Sequence, residues 1–116
     1  MIVDDSPSIR TMVGFVLRQS GYEVHEAVDG REALDWAHAG NVVDLVVTDI
    51  NMPNVDGLEL IRELRSLEAY RYIPILTLTT EGSDEKKMQG KAAGATGWIV
   101  KPFDPEGLLK TIAKVL

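Results

Sequence analysis

The sequence predicts an α/β domain: a doubly wound, five-stranded parallel sheet with five helices. Short apolar, β-branched segments alternate strictly with longer segments that carry apolar residues at helical spacing. Strands joined through helices run parallel, and helices cover both faces of such a sheet. The 116 residues, 45% hydrophobic and 26% charged, have the size and composition of one globular domain. We therefore expect a single domain over residues 1–116.

The first half of the chain contains three predicted strands and two predicted helices. The predicted strands cover residues 2–3, 22–28 and 42–48. The second alternates apolar and polar residues, and the third is an apolar run. The first helix covers 8–20, between Ser6-Pro7-Ser8 and Gly21, and its predicted inner face is Ile9, Met12, Val13, Val16 and Leu17. The second covers 30–39, with Ala33, Leu34 and Ala37 inward and Gly40 after its end.

The second half continues the alternation. The third helix presents Leu58, Ile61, Leu64 and Leu67, and a strand follows at 74–78. Ser83 is the predicted cap of a helix that runs to Ala93, with Asp84 and Glu85 in its first turn. After a strand at 97–100, Asp104 caps the last helix and Pro105 opens it. The predicted inner face of that helix is Leu108, Leu109, Ile112 and Leu116.

Charged and hydroxyl residues follow four of the predicted strands. They are Asp4 and Asp5, Asp49, Thr79 with Thr80, and Lys101. Ligands bind beyond the carboxyl ends of the strands in open parallel sheets, so these groups should meet at one edge. Each alone has an ordinary explanation as a turn, cap or strand residue. Together, three carboxylates and one ammonium leave a charge of −2, which matches a divalent cation.

An all-oxygen ligand set favours Mg²⁺, with Mn²⁺ as the second choice. The chain has no cysteine, and we expect His25 and His38 at the surface, so the pattern does not favour zinc. A carboxylate beside Mg²⁺ can attack a phosphoryl group without a general base. Lys101 and the Thr79 hydroxyl would then offset charge on the phosphoryl oxygens.

Charge is distributed unevenly along the chain. The net charge of −6 argues against direct nucleic-acid binding, yet all six lysines lie at or after Lys86. This lysine-rich part is either a solvated helical face or a docking face for an acidic partner. No apolar run is long enough to span a membrane, and the start of the chain does not resemble a signal peptide. The absence of cysteine fits a reducing cytosol.

The first strand is unusually short for a central strand. Only three residues precede Asp4, whereas strands usually have about 5–6 residues. We therefore expect that the natural chain has a few more residues before Met1.

Four motifs make the chain resemble the receiver domains of two-component response regulators over its whole length. They are VDDSPSIR (3–10), VVTDINMPNVDG (46–57), LTT (78–80) and KPF (101–103). The segments DINMPNVDGLELI and GATGWIVKPF are most similar to stand-alone chemotaxis regulators of the CheY type. The resemblance implies a flavodoxin-like, CheY-like sheet with strand order 2-1-3-4-5.

The resemblance also assigns roles to residues. Asp49 would be the phosphoacceptor, and Asp4, Asp5, Asp49 and the main-chain carbonyl of Asn51 would hold Mg²⁺. Lys101 would contact the phosphoryl oxygens, and Thr79 would bind the phosphate and shift. Trp98 would be the aromatic switch residue, although its indole is larger than the usual side chain and could instead stay in one rotamer. The Lys101-Pro102 bond would be cis.

For partners, the resemblance implies a CheA-like sensor histidine kinase and a flagellar switch protein or other output protein. They would dock on helix 4, strand 5 and helix 5, which carry Lys86, Lys87, Lys91, Lys110 and Lys114. We expect a cytoplasmic monomer that transfers phosphate only to and from itself and turns over no external substrate.

Three alternatives stay open. A receiver excised from a longer regulator, a phosphate sink or a phosphorelay intermediate would share every motif. A haloacid-dehalogenase-type phosphatase also forms an aspartyl phosphate, but it needs an acid two residues after the nucleophile, where this chain has Asn51. A flavodoxin-like FMN protein would carry a Ser/Thr/Gly-rich loop after strand 1, where this chain has Asp4-Asp5.

Overall fold

The computed structural model describes residues 1–52, 54–79, 84–101 and 103–116, except for the side chains of Asp84 and Lys86. The strands are β1 (Ile2–Val3), β2 (Glu26–Ala27), β3 (Val46–Asp49), β4 (Ile75–Thr79) and β5 (Gly97–Val100). The helices are α1 (Pro7–Gln19), α2 (Gly30–His38), α3 (Gly57–Ser66), α4 (Asp84–Ala93) and α5 (Pro105–Val115). A short 3₁₀ helix covers Glu68–Tyr70.

The strands form one parallel sheet in the order β2-β1-β3-β4-β5, which confirms the predicted fold. The register pairs Asp49 with Leu78 and Thr79 with Val100. The carboxyl ends of β3, β4 and β5 therefore lie side by side.

The core consists of two apolar layers, one on each face of the sheet. On one face, Val13 and Leu17 of α1 pack with Leu108 and Ile112 of α5. On the other face, α2, α3 and α4 pack through residues that include Leu34, Ile61, Leu64 and Ala93. With both faces covered, the sheet is accessible mainly at the ends of its strands, which is where this class of fold binds ligands.

Side-chain caps fix where four helices begin. The caps of α1, α2, α3 and α5 are Ser6, Asp29, Asp56 and Asp104, and each accepts a hydrogen bond from the main-chain N–H three residues later. Such caps satisfy N–H groups that the first helical turn leaves without partners. The predicted cap of α4, Ser83, lies outside the described residues.

Two residues of the predicted inner helix faces are exposed. Met12 is 39% exposed, because α1 packs through a stripe centred on Val13, Val16 and Leu17 and Met12 lies at its edge. Leu116 is 53% exposed, because α5 ends at Val115. The predictions for these two side chains are wrong.

The predicted strands 22–28 and 42–48 are too long at their amino ends. β1 lies between them and begins at Ile2, so residues 22–25 and 42–45 have almost no neighbouring strand to pair with. Asp49 is also the last residue of β3, one residue beyond the predicted end.

The sequence pattern did not indicate the 3₁₀ helix, where buried Tyr70 donates its hydroxyl to the Asn41 carbonyl at 2.7 Å. Within the described ranges, no helix is long and apolar enough to cross a membrane.

Candidate functional site

Three carboxylates meet at the carboxyl edge of the sheet. Asp4 and Asp5 follow β1, and Asp49 ends β3. One oxygen atom from each of the three lies within 4.8 Å of the others. Asp4 is buried, Asp49 is partly buried and Asp5 is exposed, so the cluster opens to solvent through Asp5.

Lys101 brings a positive charge to this cluster from the end of β5. Its Nζ atom lies 3.2 Å from Asp4 Oδ2 and 3.6 Å from Asp49 Oδ2. Its main-chain N–H donates to the Thr79 carbonyl at 2.7 Å, which ties the ends of β4 and β5 together. One ammonium faces three carboxylates, so the described site keeps an excess of negative charge.

Asp4 is held by hydrogen bonds from several directions. Its Oδ1 accepts from the N–H of Ser6 at 2.9 Å, and Lys101 donates to its Oδ2. The Asp4 carbonyl accepts from Arg10 Nη1 at 2.6 Å. A fully buried carboxylate is costly without such partners, and their number fixes its position.

Among the described residues, Asp49 has fewer hydrogen-bond partners than Asp4. Its Oδ1 accepts from the N–H of Ile50 at 2.8 Å. Burial, and after it the nearby charge of Asp4, raises the pKa of Asp49, whereas Lys101 and the Ile50 N–H act in the opposite direction. A cation at this position would act against burial and Asp4 and favour the ionised form of Asp49.

The loop after β3 holds Asp49 against α3. Gly57 N–H donates to the Ile50 carbonyl at 2.8 Å, and a Cβ on Gly57 would overlap the Asp49 carbonyl oxygen. Asn54 takes a left-handed φ of 67°, and its amide donates to Asp29 at 3.2 Å. The residue pattern gave no sign that Gly57 packs directly on the main chain of Asp49.

The other predicted site residues lie around this edge. Thr79 is buried at the end of β4, and Asn51 is exposed in the loop after Asp49. Trp98 is 41% exposed on β5, with Lys87 Nζ 5.0 Å from its ring centroid. The roles assigned to them stay predictions. Thr80 and the predicted cis bond at Lys101-Pro102 involve residues outside the described part of the chain.

The predicted lysine face lies on the two helices that flank β5 in sequence. Lys91, Lys110 and Lys114 are exposed, whereas Lys87 is partly buried. The side chain of Lys86 is not described.

The prediction that both histidines are surface residues holds for His38 only, because His25 is partly buried and stacks on Trp36 with ring centroids 3.9 Å apart.

The donor set at the sheet edge fits Mg²⁺. The cluster is built of carboxylates alone, it opens to solvent, and its charge exceeds what Lys101 offsets. Mg²⁺ prefers oxygen ligands and keeps several waters, so a site with few carboxylates and access to water suits it.

Two curated relatives differ greatly in length. The chain is 43% identical over 114 residues to the CAI-1 autoinducer sensor kinase/phosphatase CqsS of Vibrio cholerae, covering 97% of this chain but only 16% of that protein. It is 37% identical over 116 residues to the chemotaxis protein CheY of Pseudomonas aeruginosa, covering 99% of this chain and 93% of that protein.

Two solved structures share the fold. Chemotaxis protein CheY4 of Vibrio cholerae superposes with a TM-score of 0.95 and 54% identity, covering 99% of this chain and 95% of that one. The receiver domain of sensor histidine kinase PA1611 from Pseudomonas aeruginosa is described with magnesium coordinated in its active site cleft. It superposes with a TM-score of 0.90 and 29% sequence identity, covering 98% of this chain and 93% of that one.

The family match extends over nearly the whole chain. The response regulator receiver domain matches residues 1–113, a range that contains the carboxylate cluster and Lys101. This match confirms the predicted membership, and the similarity to the two CheY proteins confirms the predicted CheY-like character. The chain belongs to the response regulator receiver domain family.

Proposed function

We propose that Asp49 accepts a phosphoryl group from the phosphohistidine of a sensor histidine kinase, and that the modified chain signals by changing its partner binding. The observation that carries this proposal is the contact of one ammonium, Lys101, with both Asp4 and Asp49 inside a three-carboxylate cluster. The family acts as signalling switches rather than as enzymes that turn over an external substrate. The similarity to CheY proteins supports chemotaxis as the pathway.

The proposed transfer needs no general base. The ionised carboxylate of Asp49 attacks phosphorus, a P–O bond forms, and the P–N bond to the donor imidazole breaks. The imidazole leaves with the electron pair and takes up a proton from water. Lys101 Nζ, 3.6 Å from Asp49 Oδ2, is placed to donate to a phosphoryl oxygen as its charge develops. The Thr79 hydroxyl is the proposed second donor.

Asp4, Asp5 and Asp49 are the residues that would hold Mg²⁺ in this proposal, with the Asn51 carbonyl as a further ligand and Mn²⁺ as a substitute. The ion, when bound, supplies positive charge that offsets the repulsion between the carboxylates and an incoming phosphoryl group. The magnesium described in the PA1611 receiver domain supports this assignment.

Phosphate incorporation from acetyl phosphate tests the proposal. Asp49→Asn should abolish Mg²⁺-dependent, hydroxylamine-sensitive labelling, because the amide cannot form an acyl phosphate. Asp35→Asn, which alters an exposed aspartate of α2, is the matched control and should label like the unmodified chain. Labelling that persists in Asp49→Asn would exclude Asp49 as the phosphoacceptor.

The proposed output surface comprises the exposed lysines Lys91, Lys110 and Lys114 together with Trp98 and Lys87. The cation–π contact of Lys87 with Trp98 gives the aromatic residue a defined partner in its outward position. We propose that phosphorylation changes this position and that the lysines dock acidic segments of a kinase or a flagellar switch protein.

Charge reversal tests the docking surface. The double variant Lys91→Glu and Lys110→Glu should weaken binding of the cognate kinase and reduce its salt dependence. Arg31→Glu reverses an exposed charge on α2, which packs on α3 and carries none of the lysines of this surface, and it should leave binding unchanged. Equal affinities and salt slopes for both variants would refute the docking surface and leave phosphorylation of Asp49 untouched.

A further inference from the structure

An arginine of α1 reaches back to the turn that carries two of the three clustered carboxylates. Arg10 lies near the start of α1, and its Nη1 atom donates to the Asp4 carbonyl oxygen at 2.6 Å. This is a short, charge-assisted hydrogen bond, which is stronger than one between two neutral groups. The guanidinium thus acts on the main chain of the site rather than on one of its carboxylates.

The position of this positive charge does not favour α1 itself. The Arg10 side chain extends toward the amino end of the helix, where its guanidinium meets the residues that precede the Ser6 cap. The amino end of a helix carries partial positive charge, so a cation there is unfavourable. The first turn of α1 contains no acidic residue that would offset it. The contact with Asp4 is therefore what accounts for a guanidinium at this end of the helix.

The Asp4 carbonyl belongs to the peptide group that joins Asp4 to Asp5. Because this group is planar, a hydrogen bond that fixes the direction of the carbonyl also fixes the place of the Asp5 Cα atom. The Asp4 N–H donates to the Ala27 carbonyl at 3.2 Å, and the Ser6 N–H donates to Asp4 Oδ1 at 2.9 Å. Arg10 thus completes a set of hydrogen bonds that holds the turn from β1 into α1.

Asp5 depends on this turn more than Asp4 does. Its side chain is exposed, and within the described ranges its carboxylate has no hydrogen bond or ion pair. Its place within 4.8 Å of the Asp4 and Asp49 oxygen atoms therefore depends on the main chain that carries it. Asp4, by contrast, is held through its own oxygen atoms by Ser6 and Lys101. A change in the peptide group between the two aspartates would displace Asp5 most.

We propose that Arg10 is a positioning residue, which places the Asp5 carboxylate for a divalent cation by holding the peptide group between Asp4 and Asp5. The inference rests on the proposed Mg²⁺ site and does not depend on which carboxylate accepts the phosphoryl group. Groups that orient metal ligands typically change metal affinity by about 10–100-fold. The guanidinium charge acts in the opposite direction, because a nearby positive charge repels a cation. The sign of the change in affinity therefore separates positioning from charge.

Calorimetric titration with Mg²⁺ in about 0.1 M salt compares two variants of α1 that lose the same charge. Arg10→Met should weaken Mg²⁺ binding at least about tenfold, and Arg10→Lys, which keeps a donor, should recover most of this loss. Arg18→Met removes a charge about 12 Å further along the helix, where salt screens it, and should change Mg²⁺ affinity by less than about twofold. Equal or tighter binding in Arg10→Met would overturn the proposal, because the loss of charge alone has that sign.

A double-mutant cycle tests whether Arg10 acts through Asp5. In an Asp5→Asn background, Arg10→Met should lower Mg²⁺ affinity by less than about twofold, because the carboxylate that Arg10 places is already gone. A full tenfold loss in that background would refute a role through Asp5. In labelling by acetyl phosphate, Arg10→Met should raise the Mg²⁺ concentration at half-maximal rate and leave the rate at saturating Mg²⁺ within about twofold. A lower saturated rate with an unchanged half-maximal concentration would contradict positioning of a metal ligand.

Amide exchange without Mg²⁺ tests the turn itself. The Ser6 N–H, which donates to Asp4 Oδ1, should exchange at least about tenfold faster in Arg10→Met than in Arg18→Met. Equal exchange rates would overturn the proposal. An unmodified chain that binds no Mg²⁺ would overturn the metal site and this inference with it. Failure of Asp49 labelling in a chain that binds Mg²⁺ would overturn only the proposed phosphorylation.

Discussion

Gly57→Ala should damage both stability and phosphorylation, because Gly57 packs on the main chain that carries Asp49. An added Cβ would overlap the Asp49 carbonyl and lie 2.7 Å from Ile50 Cα, whereas ordinary contacts begin at 3.4 Å. The main chain must therefore move by at least about 0.7 Å. Overpacking of this kind costs about 1–3 kcal/mol, or roughly 4–12 °C in melting temperature.

The same displacement should slow phosphoryl transfer. Misplacement of a reacting group by about 1 Å can cost about 100-fold, so we expect Gly57→Ala to lose at least about tenfold in the rate of labelling by acetyl phosphate. The matched control is Gly90→Ala in α4, where the nearest neighbour of an added Cβ among the described residues is Ala95 Cβ at 3.9 Å. The free energy of unfolding of that variant should rise by about 0.5–1 kcal/mol, and acetyl phosphate should label it at the normal rate. Equal melting temperatures and labelling rates in the two variants would refute the reasoning.

Three further predictions concern charge. Burial lowers the pKa of the Met1 amine from 8.0 to about 6, so between these two pH values the unfolded chain binds more protons than the folded chain. The free energy of unfolding measured in urea should therefore rise from pH 6 to pH 8 by at most about 2.7 kcal/mol, and acetylation of the amine should remove this rise. Arg65→Ala should lower the free energy of unfolding in chemical denaturation by about 2–3 kcal/mol, whereas Arg62→Ala, at an exposed position, should lower it by less than about 0.5 kcal/mol. Arg65 donates at 2.6–3.2 Å to the carbonyls of Tyr70, Arg71, Ile73 and Gly94. Mg²⁺ at 100 times its dissociation constant should stabilise the chain by about 2.7 kcal/mol in thermal melts. The same Mg²⁺ concentration should stabilise the Asp5→Asn variant by a smaller amount.

The convergence of the site could be predicted because it depends on topology rather than on detailed packing. Once strands and helices alternate, the sheet is parallel and the ends of its strands meet at one edge. Asp4, Asp49 and Lys101 each follow or end a strand, so their sequence positions were enough to bring them together. A shift of one residue in a strand boundary, as at Asp49, does not alter that result.

Features that depend on neighbours could not be predicted in this way. The segments 22–25 and 42–45 have strand-like sequences, yet they are not strands because β1 does not extend between them. Met12 has helical spacing, yet the width of the packed stripe on α1 decides its exposure. The contact of Gly57 with Asp49 arises from a loop that folds back, which residue patterns do not encode.

Residue patterns alone do not distinguish the three aspartates, which only the family resemblance separated, whereas their surroundings in the structure differ. Asp4 is buried and both of its carboxylate oxygens already accept hydrogen bonds, so it is suited to hold other groups in place. Asp5 is exposed and lies where the cluster meets solvent. Asp49 has one oxygen bound by the Ile50 N–H, while its Oδ2 lies 3.6 Å from Lys101, outside hydrogen-bond range. Within the described part of the chain, Asp49 thus combines a fixed position with an Oδ2 that Lys101 approaches without a hydrogen bond, and this geometry supports the proposal that Asp49, rather than Asp4 or Asp5, is the nucleophile.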